Sequence, residues 1–154
     1  MLDWTMYAPV LGVLGLLCAW AIYASIKRQP AGSELMAELA EAIHSGAMAF
    51  LRREYSILLV FIVAVFVLLW LTIGQNTALS FLAGAACSIV AGYSGMSAAT
   101  RANVRTSAAA NDHGAGKALR IAFFGGAVMG LAVASLGLLG LGVFYFIYAA
   151  GAVP

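Results

Sequence analysis

Four stretches of this chain contain no Asp, Glu, Lys or Arg. They cover residues 4–26, 55–74, 78–100 and 121 onward, of which 121–148 is enough for one more span. Each passes the roughly 18-residue length at which an apolar run predicts a transmembrane helix. Backbone groups in lipid must pair within their own segment, so helices are the expected form. Gly74-Gln75-Asn76 interrupts the apolar run between the second and third spans and predicts a tight polar turn.

Between the first two spans the pattern changes. From Glu34 to Arg53 the apolar residues Leu35, Leu39, Ile43, Ala47 and Phe50 recur every three or four positions, while Glu34, Glu38, Glu41 and Ser45 take other faces. That is the period of an amphipathic helix. Ser33 is placed to cap it, and Glu34 suits the positive end of the helix dipole. Gln29-Pro30-Ala31-Gly32 breaks the chain after the first span. No breaker follows Phe50, so this helix can run straight into the second span. Otherwise it lies on the inner surface, packs on its own bundle, or offers a partner-binding face.

Small residues recur within the later spans. Gly84, Ser88 and Gly92 form one row; Cys87, Ala91, Gly95 and Ala99 form a second. The fourth span has Gly126 and Gly130 in a G-x-x-x-G pair, then Gly137, Gly140 and Gly142. Helices in lipid associate through close backbone approach, so these rows predict dense helix packing.

Composition sharpens the class. The chain is 64% hydrophobic and 9% charged, against about 25% charged in a soluble domain. The mean hydropathy of +0.99 excludes an ordinary water-soluble fold. All 8 Lys and Arg fall in two segments. Lys27, Arg28, Arg52 and Arg53 lie in 27–54; Arg101, Arg105, Lys117 and Arg120 lie in 101–120. The positive-inside rule makes both segments cytoplasmic loops and puts both termini outside. Asp3 precedes the first apolar run and Lys27 follows it, the reverse of a cleaved signal peptide. Trp4, Tyr7, Tyr23, Tyr55, Trp70, Tyr145 and Tyr148 fall near span ends, as interfacial residues do. The expected architecture is all-α: one membrane domain over residues 1–154 with four transmembrane helices, N-out and C-out, in a multi-pass cell-membrane protein.

The chemistry is sparse. No span holds Asp, Glu, Lys, Arg or His, the residues that mark ion paths inside membranes. Arg53 and Glu54 at the mouth of the second span read as interfacial anchors. Arg101 and Arg105 share a face if the third span continues inward. Such a pair could hold an anionic headgroup or a phosphate, although topology alone accounts for the charge. His44 and His113 have no second His or Cys at ligand spacing, and Cys18 and Cys87 sit singly within spans. The segment HGAGKA lacks the full phosphate-loop pattern. Nucleic acid is not implied.

Three long motifs carry a resemblance: EAIHSGAMAFLRREY (41–55), AGYSGMSAATRANVRTSAAA (91–110) and KALRIAFFGGAVMGLAVASLGLLGL (117–141). They strongly resemble the N-terminal part of membrane-integral, ion-pumping inorganic pyrophosphatases, in a pattern covering about residues 5–145. The resemblance implies a homodimeric pump that couples cytoplasmic pyrophosphate hydrolysis, with Mg²⁺ and in some members K⁺, to transport of H⁺ or Na⁺. It also implies an N-terminus outside, in agreement with the charge pattern.

The family's acidic motif of the D-V-G-A-D-L-V-G-K type does not occur in these residues. The resemblance therefore implies that these four helices belong to the outer ring, beside the pump's remaining helices and membrane lipid. The ligands for Mg²⁺ would lie outside this chain. No catalytic, cofactor-binding or metal-binding residue is assigned here. Arg101, Asn103 and Arg105 match family positions as supports of the cytoplasmic face. Alone, the chain is expected to be inactive. The alternatives are a self-contained small four-helix transporter and a non-catalytic membrane scaffold.

Overall fold

The computed structural model describes residues 7–148, all of whose regular elements are helices. The expected start of the first span and the interfacial Trp4 lie outside the described residues. Helix α1 is Ala8–Lys27, α2 Glu34–Thr72, α3 Gln75–His113 and α4 Ala115–Tyr148. All four are long and apolar enough to cross a membrane, which makes this an all-α, multi-pass integral membrane protein.

Local sequence explains where each helix begins and ends. Pro9 sits in the first turn of α1, where its missing N–H costs no hydrogen bond. The Ser33 hydroxyl accepts from the Met36 N–H at 3.4 Å and caps α2 as expected. The break between α2 and α3 is tighter than Gly74-Gln75-Asn76. It uses Ile73 and Gly74 alone, with Gly74 at φ 133, a value side chains resist. Gln75 and Asn76 already belong to α3.

Two segments expected between spans are largely helical. From Glu34 the chain is continuous with the second span as α2, about 58 Å long at 1.5 Å per residue. A helix without a break cannot lie flat on the bilayer and also cross it, so the surface-lying alternative is set aside. Likewise α3 runs through Arg101 and Arg105 to His113, and Gly114, at φ 81, is the only residue before α4. Ala108, Ala109 and Ala110 keep this polar stretch helical.

Helix α3 is the centre of the bundle. It touches α1, α2 and α4, and α1 lies mainly along α4; among the described residues α2 contacts α3 alone. The interior is built of small residues, with Ala78, Ala98, Ala102, Ala108 and Ala132 all buried. Backbones therefore approach closely, the packing that lipid favours.

The small-residue rows divide. A Cβ on Gly125 would lie 2.6 Å from the Ala102 Cβ, one on Gly95 2.5 Å from Met129 Cγ, and one on Gly12 2.7 Å from the Ser135 carbonyl. These glycines are the contact points of α3 with α4 and of α1 with α4. Gly84, Gly126, Gly130, Gly137 and Gly140 meet nothing within 4 Å. The G-x-x-x-G pair is thus not a contact between these four helices. Gly125, one position round the helix, faces α3 instead. The row at Gly84 and Ser88 lines an open cleft of about 670 Å³ between α3 and α4, together with Gly137 and Gly140.

Candidate functional site

The polar side chains gather at one end of the bundle, where α1 ends and α2 passes α3. The α2–α3 hairpin sets their register. Counted from the turn at Ile73 and Gly74, Thr100 lies three residues nearer than His44 and Arg101 five nearer than Glu41, so the antiparallel pair brings them within side-chain reach.

The Thr100 hydroxyl, on a residue 6% exposed, donates to the Met96 carbonyl at 2.9 Å. Its oxygen remains free to accept, and His44 Nδ1 lies 2.7 Å away. Which of the two donates across the helices depends on the His44 tautomer. One turn along α2, the Glu41 carboxylate accepts from Arg101 Nη1 at 2.6 Å. That pair is solvent-facing and holds the helices weakly.

Arg105 does different work. Its Nε donates to the Gln29 carbonyl at 3.1 Å, Nη2 to that of Lys27 at 3.3 Å, and Nη1 to that of Arg101 at 2.7 Å. The first two oxygens lie at the C-terminal end of α1, where helix carbonyls lack partners and the dipole is negative. A planar, permanently charged fork suits that position. Burial pushes the Arg105 pKa below the usual arginine value and the Arg101 charge adds to this, while Tyr23 acts in the opposite sense. Lys27 Nζ lies 5.9 Å from the centre of the Tyr23 ring.

Arg101 and Arg105, the pair suited by spacing to an anion, thus each have protein acceptors. Asn103 is exposed beside them, and Arg53 and Glu54 are exposed on α2. His113 ends α3 well away from His44 in sequence. Cys18 is exposed and Cys87 half-buried, both as free thiols. Among the described residues no three of His, Cys, Asp and Glu come together.

Sequence reading missed the two cross-helix pairs and the cap on α1. The signal for the pairs was available: Glu41 and His44 share a face of α2, Thr100 and Arg101 adjoin on α3, and the turn fixes the register.

Long apolar helices packed through alanine and glycine, with the ionic side chains of the described residues outside the spans, define a polytopic membrane protein. More particularly, the chain belongs to the inorganic H⁺ pyrophosphatase family, whose model matches residues 13–153. It is 50% identical over 129 residues to a putative K⁺-stimulated pyrophosphate-energized sodium pump of Clostridium tetani, covering 84% of this chain and 19% of that protein. It is 48% identical over 143 residues to a K⁺-insensitive pyrophosphate-energized proton pump of Methanosarcina mazei, covering 92% and 21%. A K⁺-stimulated sodium pump of Thermotoga maritima is 41% identical over 131 residues. The chain spans about a fifth of the length of these curated relatives.

Proposed function

We propose that this chain is the N-terminal four-helix part of a pyrophosphate-energised H⁺ or Na⁺ pump, and that its role there is structural. The observation that carries the reading is the family match across residues 13–153. Hydrolysis of Mg-pyrophosphate, any K⁺ dependence, and the ion path would then reside in the helices these four surround. The basic end faces the cytoplasm and the Ile73–Gly74 turn faces outward, as the placement of Lys and Arg favours. Homodimerisation belongs to the complete pump. Within this scheme Arg101, Asn103 and Arg105 support the cytoplasmic face, Arg105 by tying α3 to the end of α1.

Phosphate release by the purified chain tests this role. With Mg-pyrophosphate it should release none above the uncatalysed rate. Sustained, protein-dependent release would place hydrolytic groups within these residues and overturn the structural role.

A further inference from the structure

The four basic side chains of residues 101–120 divide into two kinds. Arg101 and Arg105 are held by oxygens of the protein. Lys117 and Arg120 form no hydrogen bond or ion pair with any described residue. Three positions apart, they share a face of α4. Both line a cleft of about 460 Å³ between the end of α1 and the start of α4, a size within the roughly 300–1,000 Å³ of ligand pockets.

The α1 wall is also polar. Ser25 and Gln29 line it, and their side chains too have no partner among the described residues. Ser56, Ser80 and Ser94 instead close onto their own helices. Arg105 fixes the Gln29 backbone carbonyl, while the Gln29 amide side chain stays free. Asp112 shares an adjoining hollow with Lys117, but its carboxylate accepts from Asn111 at 2.8 Å and forms no ion pair. Below these groups the cleft turns apolar. Ile26 is the last residue of α1 before Lys27, and Ile121 follows Arg120 directly. Both isoleucines are buried and floor the cleft, and Phe124, 41% exposed, continues it into the span. The cations thus stand at the membrane edge, where charge gives way to the apolar run of each helix.

We propose that this cleft binds an anionic phospholipid, its phosphate between Lys117 and Arg120, its polar head toward Ser25 and Gln29, and an acyl chain along Phe124. A guanidinium and an ammonium both suit phosphate oxygens. Basic pockets between helices at a membrane surface take anionic headgroups in this way. The uncompensated charge selects an anionic over a zwitterionic headgroup. The apolar floor and Phe124 select a lipid over free phosphate, which has nothing to place there.

The test titrates the chain, in a neutral detergent, with phosphatidylglycerol, phosphatidylcholine or inorganic phosphate, and reads native mass spectra and melting temperature. Phosphatidylglycerol should stay bound one to one and raise the melting temperature, and the other two should do neither. K117Q with R120Q should weaken phosphatidylglycerol binding roughly thirtyfold, about fivefold for each cation lost. R52Q with R53Q removes equal charge from exposed positions on α2 and should leave binding unchanged. Equal retention of both lipids, or undiminished binding by K117Q with R120Q, overturns the proposal. Equal weakening in the two double variants also overturns it, since the attraction would then be diffuse. A melting shift reproduced by inorganic phosphate assigns the cleft to a free anion and overturns the lipid. Phosphatidylglycerol with a photoreactive headgroup locates the site without any substitution. Its crosslinks should fall in residues 25–29 and 117–124, and crosslinks confined to other segments overturn the proposal. In the intact Methanosarcina mazei relative the aligned segments should crosslink as well. Their failure to do so would assign the cleft to that protein's own polypeptide and overturn the lipid site.

Discussion

His44 Nδ1 of α2 lies 2.7 Å from the Thr100 hydroxyl of α3, although 56 residues separate them in the chain. The contact is a part-buried polar link between the two helices, and it works through hydrogen bonding rather than charge. A neutral hydrogen bond contributes about 1 kcal/mol, and its loss costs more where a buried partner is stranded. His44→Ala and Thr100→Val should therefore each lower the melting temperature of the detergent-purified chain. The double variant should lose less than the two single losses combined, with a coupling near 1 kcal/mol. Strict additivity would mean the pair does not form.

Arg105 should matter more than Arg101. Arg105→Ala strips three carbonyls of a charged donor and should cost about 1.5–3 kcal/mol. Arg105→Lys should recover only part, because an ammonium cannot reproduce the fork. Arg101→Ala breaks a solvent-facing ion pair and should change stability by less than about 1 kcal/mol. Thermal unfolding of the three variants in one detergent orders them.

Neighbouring glycines on α4 should respond in opposite ways. Gly125→Ala sets a methyl 2.6 Å from the Ala102 Cβ on a facing helix, so backbones must part, at about 1–3 kcal/mol. Gly126→Ala meets nothing within 4 Å and should be neutral or gain up to about 1 kcal/mol from helix propensity. Unfolding of both variants in detergent checks this, and equal losses would contradict the assigned helix face.

Orientation has its own test. In intact cells, an impermeant maleimide should miss N103C and reach Q75C, both in a C18A, C87A background. The opposite pattern would invert the topology drawn from the basic segments.

Much of this architecture was legible in the sequence. Hydropathy gave four spans because a bilayer permits few ways to bury 18 or more apolar residues. Ser33 announced the start of α2, since its hydroxyl serves an N–H that would otherwise lack a partner. The absence of a breaker after Phe50 left open the continuous helix that α2 proves to be. Glycine rows were legible as packing surfaces but not as to partner. Gly125 meets α3 while Gly126 and Gly130 do not, because one position turns a side chain by about 100°. The pairs of His44 with Thr100 and Glu41 with Arg101 depend on the register of a hairpin whose turn is shorter than the polar triplet suggested. The Arg105 cap was hidden for another reason: its acceptors are backbone carbonyls, which leave no mark in a sequence.

The central claim is that these helices complete a pump without performing its chemistry. It is tested most directly by expressing this chain beside the Methanosarcina mazei relative deprived of its matching first fifth, and following pyrophosphate-driven ion uptake into membrane vesicles. The account expects no uptake from either part alone and uptake when both are present. Uptake by the shortened relative without this chain, or none when both parts are verified together in the membrane, would contradict it.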